Sequence, residues 1–201
     1  MIGIVDYGMG NLGSIENMFK RIGAAAVVTG DATLLARASK ILLPGVGAFD
    51  SAMQRIANSG LRDVLEHKAL HERVPTLGIC LGMQLLTRRS DEGELPGLGW
   101  IDADTRRFPT IVGLKVPHMG WNLVTPSRSS ALTAGLPAES RFYFVHSYYV
   151  QVDDERDSVL KADYGVSFDA ALAHGNIYGA QFHPEKSHKF GMRLLANFAS
   201  L

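Results

Sequence analysis

Residues 1–5 form a short apolar run. A polar, glycine-rich stretch follows (Asp6-Tyr7-Gly8-Met9-Gly10-Asn11), and then Leu12, Ile15, Met18, Phe19 and Ile22 recur at helical spacing until Gly23. A short continuous apolar run suits a buried strand, and a period near 3.6 suits an amphipathic helix. The opening therefore reads strand, glycine turn, helix. The alternation continues with a strand over 25–29, a helix over 32–38, a strand over 40–43 and a turn through Pro44-Gly45-Val46-Gly47-Ala48-Phe49. Amphipathic helices over 49–57 and 61–71, broken at Ser59-Gly60, lead into an apolar run over 74–79. A helix-like pattern resumes over 81–86. Strands alternating with helices predict a mostly parallel sheet with helices on both faces, a doubly wound α/β arrangement.

The texture changes after residue 88. Residues 91–99 are polar and rich in Gly and Pro. Short strands are expected over 99–108, 114–119 and 121–124, one helical turn over 132–136, and a long β-rich run, FYFVHSYYVQV, within 141–152. Runs at 158–163, 168–174 and 177–182 complete a hairpin-rich second half. Phe190, Leu194, Leu195 and Phe198 mark one face of a closing helix. No linker divides the chain, so residues 1–201 read as one domain.

Composition adds limits. With 46% hydrophobic and 20% charged residues the chain can bury a substantial core. Twenty basic and twenty acidic residues balance, so nothing suggests a nucleic-acid footprint. No apolar run approaches membrane-spanning length and no signal-peptide pattern opens the chain, which points to the cytosol. The single cysteine excludes an intrachain disulfide and fits a reducing compartment and a candidate nucleophile.

That cysteine sits in VPTLGICLGMQ, residues 74–84. Gly78 and Gly82 flank Cys80 where a strand turns sharply into a helix, the thiol counterpart of a G-x-S-x-G elbow. A thiol at a helix N-terminus feels the positive end of the dipole. A buried structural cysteine is the other reading. Gly45 and Gly47, ending a strand, could expose backbone N–H groups to a developing oxyanion, or could simply turn the chain. The G-M-G-N turn could cradle a phosphate, but it lacks the rest of a dinucleotide fingerprint, which favours a structural or partner-facing role. Of the seven histidines, His67 and His71 fall on a charged helix stretch that reads as a solvated face, and His118 and His188 show no partner. His183 differs. It ends an apolar strand in Gln181-Phe182-His183-Pro184-Glu185, and in extended backbone residues i and i+2 share a side. Pro184 favours that backbone at His183. Glu185 can therefore orient the His183 imidazole, which can take a proton from a thiol and return it to a leaving group.

With PGVGAF at 44–49, GICLGMQLL at 78–86 and FHPEKS at 182–187, the sequence resembles the class I (triad) glutamine amidotransferase family. DYGMGNL at 6–12, PHMGWN at 117–122 and YFVHSYY at 143–149 resemble the branch that feeds imidazole glycerol phosphate formation in histidine biosynthesis. The resemblance runs from residue 3 to about residue 198. It implies a flavodoxin-like fold with a smaller antiparallel β region in the second half, and it makes Cys80 the nucleophile, His183 the base and acid, and Glu185 its orienter. It further implies an oxyanion hole from Val46, Gly47 and Leu81, and glutamine contacts from Gly45, Gln84, His146, Ser147 and Tyr148. The implied partner is a (β/α)8-barrel cyclase in a heterodimer, met by Asn11, Trp121 and Lys186, with no metal or organic cofactor. Three rivals stay open: a glutaminase serving another acceptor, a non-enzymatic phosphate-binding module, and a cysteine hydrolase of peptides or esters.

Overall fold

The computed structural model describes residues 1–201. Four strands open the chain: β1 (Ile2–Val5), β2 (Ala26–Thr29), β3 (Lys40–Gly45) and β4 (Thr76–Cys80). Between them lie α1 (Leu12–Arg21), α2 (Ala32–Ala36), α3 (Phe49–Asn58) and α4 (Leu61–Glu66). β1 pairs with β2 and β3, and β3 with β4, all parallel. Side chains alternate across such a strand, and β3 shows it. Ile41 and Leu43 enter the core packed by α3 and α4, while Leu42 enters the core shared with Phe19 of α1. Both faces are covered, as a parallel sheet requires.

After α5 (Leu81–Leu85) come β5 (Ala103–Arg107), β6 (His118–Leu123), β7 (Thr125–Pro126), β8 (Arg141–His146), β9 (Tyr148–Val152), β10 (Ser158–Asp163), β11 (Ser167–His174) and β12 (Ile177–Ala180). The closing helix α6 spans His188–Ser200. The main sheet runs β2-β1-β3-β4-β12-β11-β10-β7, with β9 paired to β11 and β5. β12 inserts parallel to β4, and Ile79 pairs with Ala180. On the other side of β4, Gly45 pairs with Cys80. Three strands thus end together, and the crevice outside the carboxyl ends of parallel strands is where α/β sheets hold ligands.

The second half departs from the sequence expectations in three places. The strands expected over 114–119 and 121–124 are one strand, β6, with Gly120 at φ +120° inside it. The run over 141–152 is broken at Ser147. β8 pairs with β6 in a separate two-stranded ribbon, whereas β9 joins the main sheet. The strand expected over 99–108 begins only at Ala103, because residues 97–101 hydrogen-bond back to the end of α5 and the turn after it. In the first half, the helix expected over 61–71 changes at His67 to a π-type turn, His67–His71. No helix is long and apolar enough to cross a membrane.

Candidate active site

The elbow is built by close approach. A Cβ on Gly82 would run into the Leu43 carbonyl of β3, and one on Gly78 into the Gly82 carbonyl. Only glycine lets α5 begin this close to the sheet. The turn holds Cys80 at φ 55° and ψ −113°, left-handed backbone that costs a non-glycine residue roughly 1–3 kcal/mol. Such strain persists because the β3–β4–β12 pairing fixes the backbone on both sides. α5 has only five residues, fewer than the sequence pattern implied, so its dipole contributes little to the thiol.

The Cys80 thiol is buried and donates to the Val145 carbonyl at 3.9 Å. His183, in extended backbone (φ −99°, ψ 98°), turns its imidazole toward the sulfur. Its Nδ1 meets Glu185 Oε1 at 2.8 Å, and both side chains are almost fully buried. The i, i+2 pairing is as read, but for a different reason. Pro184–Lys186 is a 3-10 turn, so it is the tight turn that brings Glu185 back under the ring. Burial works against the imidazolium, but the nearby Cys80 sulfur and the Glu185 carboxylate outweigh it and lift His183 to about 9. Its Nε2 and the second oxygen of Glu185 are buried with no partner. The imidazole is therefore held from one side only, with Nε2 free to exchange a proton.

A cavity of about 330 Å³ opens over the thiol. Of the residues picked from sequence, Cys80, His183, Val46, Gly47, Leu81, Gln84, His146, Ser147 and Tyr148 line it. Gly45 does not. It is buried beneath, where a Cβ would lie 2.6 Å from the Tyr7 hydroxyl and 3.0 Å from Leu81. Tyr7 donates to the Pro44 carbonyl at 2.7 Å, and burial, then the Cys80 charge, push its own ionisation upward. Met9 packs on Gly47 and Gly10 on Pro44, so the loop after β1 rests directly on the 44–47 strand end.

Behind the cavity runs a chain of polar contacts that the sequence did not disclose. His118, read as a turn residue without a partner, is a buried member of β6. The Tyr148 carbonyl can only accept, so His146 donates to it from Nδ1 at 2.7 Å. His146 Nε2 must then accept from His118 Nδ1 at 2.9 Å. His118 Nε2 in turn accepts from the Asn122 amide, whose other contact is the Asp163 carbonyl. Burial lowers His118 to about 4 and His146 to about 3, the latter further depressed by His118 and His183. Both rings are neutral at pH 7, and neither His146 nitrogen is left for a ligand. Gln84 also spends its amide protons inside the protein, on Tyr148 O and Gln181 Oε1. It offers the cavity only its carbonyl oxygen.

Glu92 lines the cavity and was missed in sequence. Its carboxylate accepts from Phe49 N at 3.0 Å, capping α3 across 43 residues. Burial, then Asp50, raise its pKa against that bond. On the outer surface, β6 exposes Met119, Trp121 and Leu123. Trp121 stacks on His188 at 5.5 Å, and the exposed Lys186 lies 5.7 Å over the Tyr143 ring. Asn11 is exposed in the loop after β1. A groove along residues 124–140 is larger, but the Arg128 guanidinium in it is spent on backbone carbonyls.

The family model for class-I glutamine amidotransferases matches residues 3–200. Imidazole glycerol phosphate synthase subunit HisH 2 of Methanococcus maripaludis is 52% identical, covering 98% of each chain. The protein of the same name from Pseudomonas aeruginosa is 51% identical over the full length of both. Among solved structures, a glutamine amidotransferase superposes with TM-score 0.76 at 18% identity, covering 100% of this chain and 99% of that one. PurLQS from Thermotoga maritima superposes with TM-score 0.72 at 17% identity, covering 99% and 97%. A mixed α/β sheet with parallel central strands is the frame these structures share with it, and the chain belongs to the class-I glutamine amidotransferases.

Proposed function

We propose that the chain is the glutamine-hydrolysing subunit of an imidazole glycerol phosphate synthase, working as one domain in the cytoplasm. The observation that carries this reading is the Cys80–His183–Glu185 arrangement at the mouth of a small cavity, in a chain alike over its whole length to such subunits.

In the proposed reaction His183 Nε2 takes the Cys80 proton, a transfer that the raised proton affinity of His183 favours. The sulfur attacks the side-chain carbonyl carbon of glutamine. The resulting oxyanion is held by backbone N–H groups of Val46, Gly47 and Leu81, donors fixed before charge develops. His183 returns its proton to the amide nitrogen, and ammonia leaves. Water, deprotonated by His183, releases glutamate from the thioester. Glu185 holds the ring in register throughout. The Glu92 carboxylate suits the α-ammonium of glutamine, while Gln84 O and the Ser147–Tyr148 backbone suit its polar rim. These steps need no metal or organic cofactor.

Ammonia formed beside Cys80 must be delivered before it is lost. The partner we infer is a cyclase with a (β/α)8 barrel, docked in a heterodimer over the mouth of the cavity. The exposed Trp121, the Lys186 beside the triad and the Asn11 loop against the 44–47 strand end form its contact face. Pressure on that loop would reach the oxyanion donors through Met9 and Tyr7, so the partner can switch hydrolysis on. The test is Cys80→Ala, assayed with the cyclase. Glutamine-dependent product formation should vanish while formation from added ammonium persists. Glutamine turnover above about 1% of wild type would refute the nucleophile, since loss of a nucleophile removes several orders of magnitude.

A further inference from the structure

Beneath Cys80 lies a side chain that none of the steps above uses. Gln181 is fully buried. It follows Ala180, which pairs with Ile79 in the β4–β12 ladder, so the register carries Gln181 alongside Cys80. Its Nε2 lies 3.8 Å from Cys80 Sγ, within reach of a sulfur hydrogen bond. Its Oε1 lies 3.0 Å from Gln84 Nε2.

The orientation of this amide follows from its neighbours. The Tyr148 carbonyl accepts only, so the Gln84 group facing it at 3.1 Å is the NH2. That NH2 also faces Gln181, which must therefore present oxygen to it. The Gln181 NH2 is left pointing at the sulfur. The Tyr7 proton is committed to the Pro44 carbonyl. The thiol itself donates to the Val145 carbonyl, a contact that favours the protonated sulfur and turns repulsive once the proton leaves.

We propose that Gln181 is a further catalytic residue, whose amide donates a hydrogen bond to the Cys80 sulfur and holds it as a thiolate after its proton passes to His183 Nε2. The inference rests on the reading of Cys80 as nucleophile. A hydrogen bond to the charged form of a group favours that form, and here it offsets the Val145 carbonyl. The bond remains when the sulfur becomes a thioester and a leaving group, so it also lowers the barrier to thiolate departure. The charged or titratable groups around the sulfur are His183 and Glu185 from the turn after β12, Tyr7 from the loop after β1, His146 from β8 and Glu92 from the loop after α5. None of them hydrogen-bonds the Gln181 side chain, so a shift in Gln181→Met can be assigned to the lost amide.

The chain has one cysteine, so iodoacetamide alkylation of the full chain reads this sulfur alone. Rates are measured from pH 5 to 10 for wild type, Gln181→Met and Gln84→Met, with thermal unfolding as the folding control. Gln181→Met fills the same space without a donor. Its alkylation midpoint should rise by about one pH unit, a roughly tenfold slower rate below the midpoint. In Gln84→Met the Gln181 oxygen loses its donor, the amide is free to turn over, and the midpoint should rise by less. With the cyclase present, Gln181→Met should lower kcat about tenfold while KM stays within about twofold. A Gln181→Met midpoint within about 0.2 unit of wild type overturns the proposal. If that variant does not fold, an unmoved midpoint in Gln84→Met overturns it instead. Failure of the underlying reading looks different. Fully alkylated wild type would still hydrolyse glutamine, whatever the midpoints do.

Discussion

Acid should loosen this protein through His118 and His146. Their pKa values in the fold are about 4 and about 3, against about 6.5 for a free histidine. Both are depressed because burial disfavours the imidazolium. The unfolded chain therefore takes up two protons near pH 6.5 that the native state refuses. The penalty is absent above pH 6.5, grows as pH falls, and levels off below the native values. At pH 5 it is about 2 kcal/mol for each ring, about 4 kcal/mol together, a large share of the roughly 5–15 kcal/mol by which domains are stable. His183 has the opposite sign. Its native pKa is raised to about 9, so its contribution is complete below pH 6.5, is lost as pH rises through 9, and does not change across the acid window. The measurement is urea unfolding at pH 7 and pH 5 for wild type and His118→Gln. Glutamine can still donate to His146 Nε2 but does not titrate. The loss of stability between the two pH values should be smaller in the variant by about 2 kcal/mol. Carboxylates that also titrate here act equally in both proteins and cancel. Equal losses would show that His118 is not held neutral by burial.

Gly82→Ala places a methyl against the Leu43 carbonyl and should cost more than about 3 kcal/mol in urea unfolding, or prevent folding, because backbone cannot yield as a side chain can. Glu92→Gln keeps an acceptor for Phe49 N but loses the charge, so KM for glutamine should rise about 10- to 100-fold with kcat little changed, as expected of a charged hydrogen bond worth about 1.5–3 kcal/mol. Trp121→Ala should weaken cyclase binding by about 2 kcal/mol or more in a titration. Lys186→Ala should leave glutamate forming faster than imidazole glycerol phosphate, read by measuring both products in one reaction.

The parallel half of the fold was legible because its signals are local. Apolar periodicity set β1 to β4 and their helices, and glycines on both sides of Cys80 marked the elbow. The His183–Glu185 pair was legible too, although the sequence suggested extended backbone where the chain makes a 3-10 turn. What stayed hidden depends on distant partners. FYFVHSYYVQV contains no glycine or proline to mark a break, and only the pairing of β8 with β6 and of β9 with β5 and β11 shows why the chain changes sheets at Ser147. Glu92 sits in a polar loop that looks solvated, and its bond to Phe49 N spans 43 residues. Gln181 adjoined the most informative motif, yet only the register of β12 on β4 shows that it reaches the sulfur. His118 looked solitary because its partner, His146, lies on another strand.

The two-stranded ribbon has a consequence of its own. Odd positions of β6 carry Met119, Trp121 and Leu123 to the outside, while His118 and, across the pair, Phe142, Phe144 and His146 face inward, the phenylalanines into the core and His146 to the cavity. One layer of backbone serves two clients. A slip of a single residue between β6 and β8 would exchange them, sending tryptophan inward and histidine to solvent. Substitutions on the two faces therefore cannot drift independently, and a lineage that adapts its outer face to a changing partner must do so at alternate residues only.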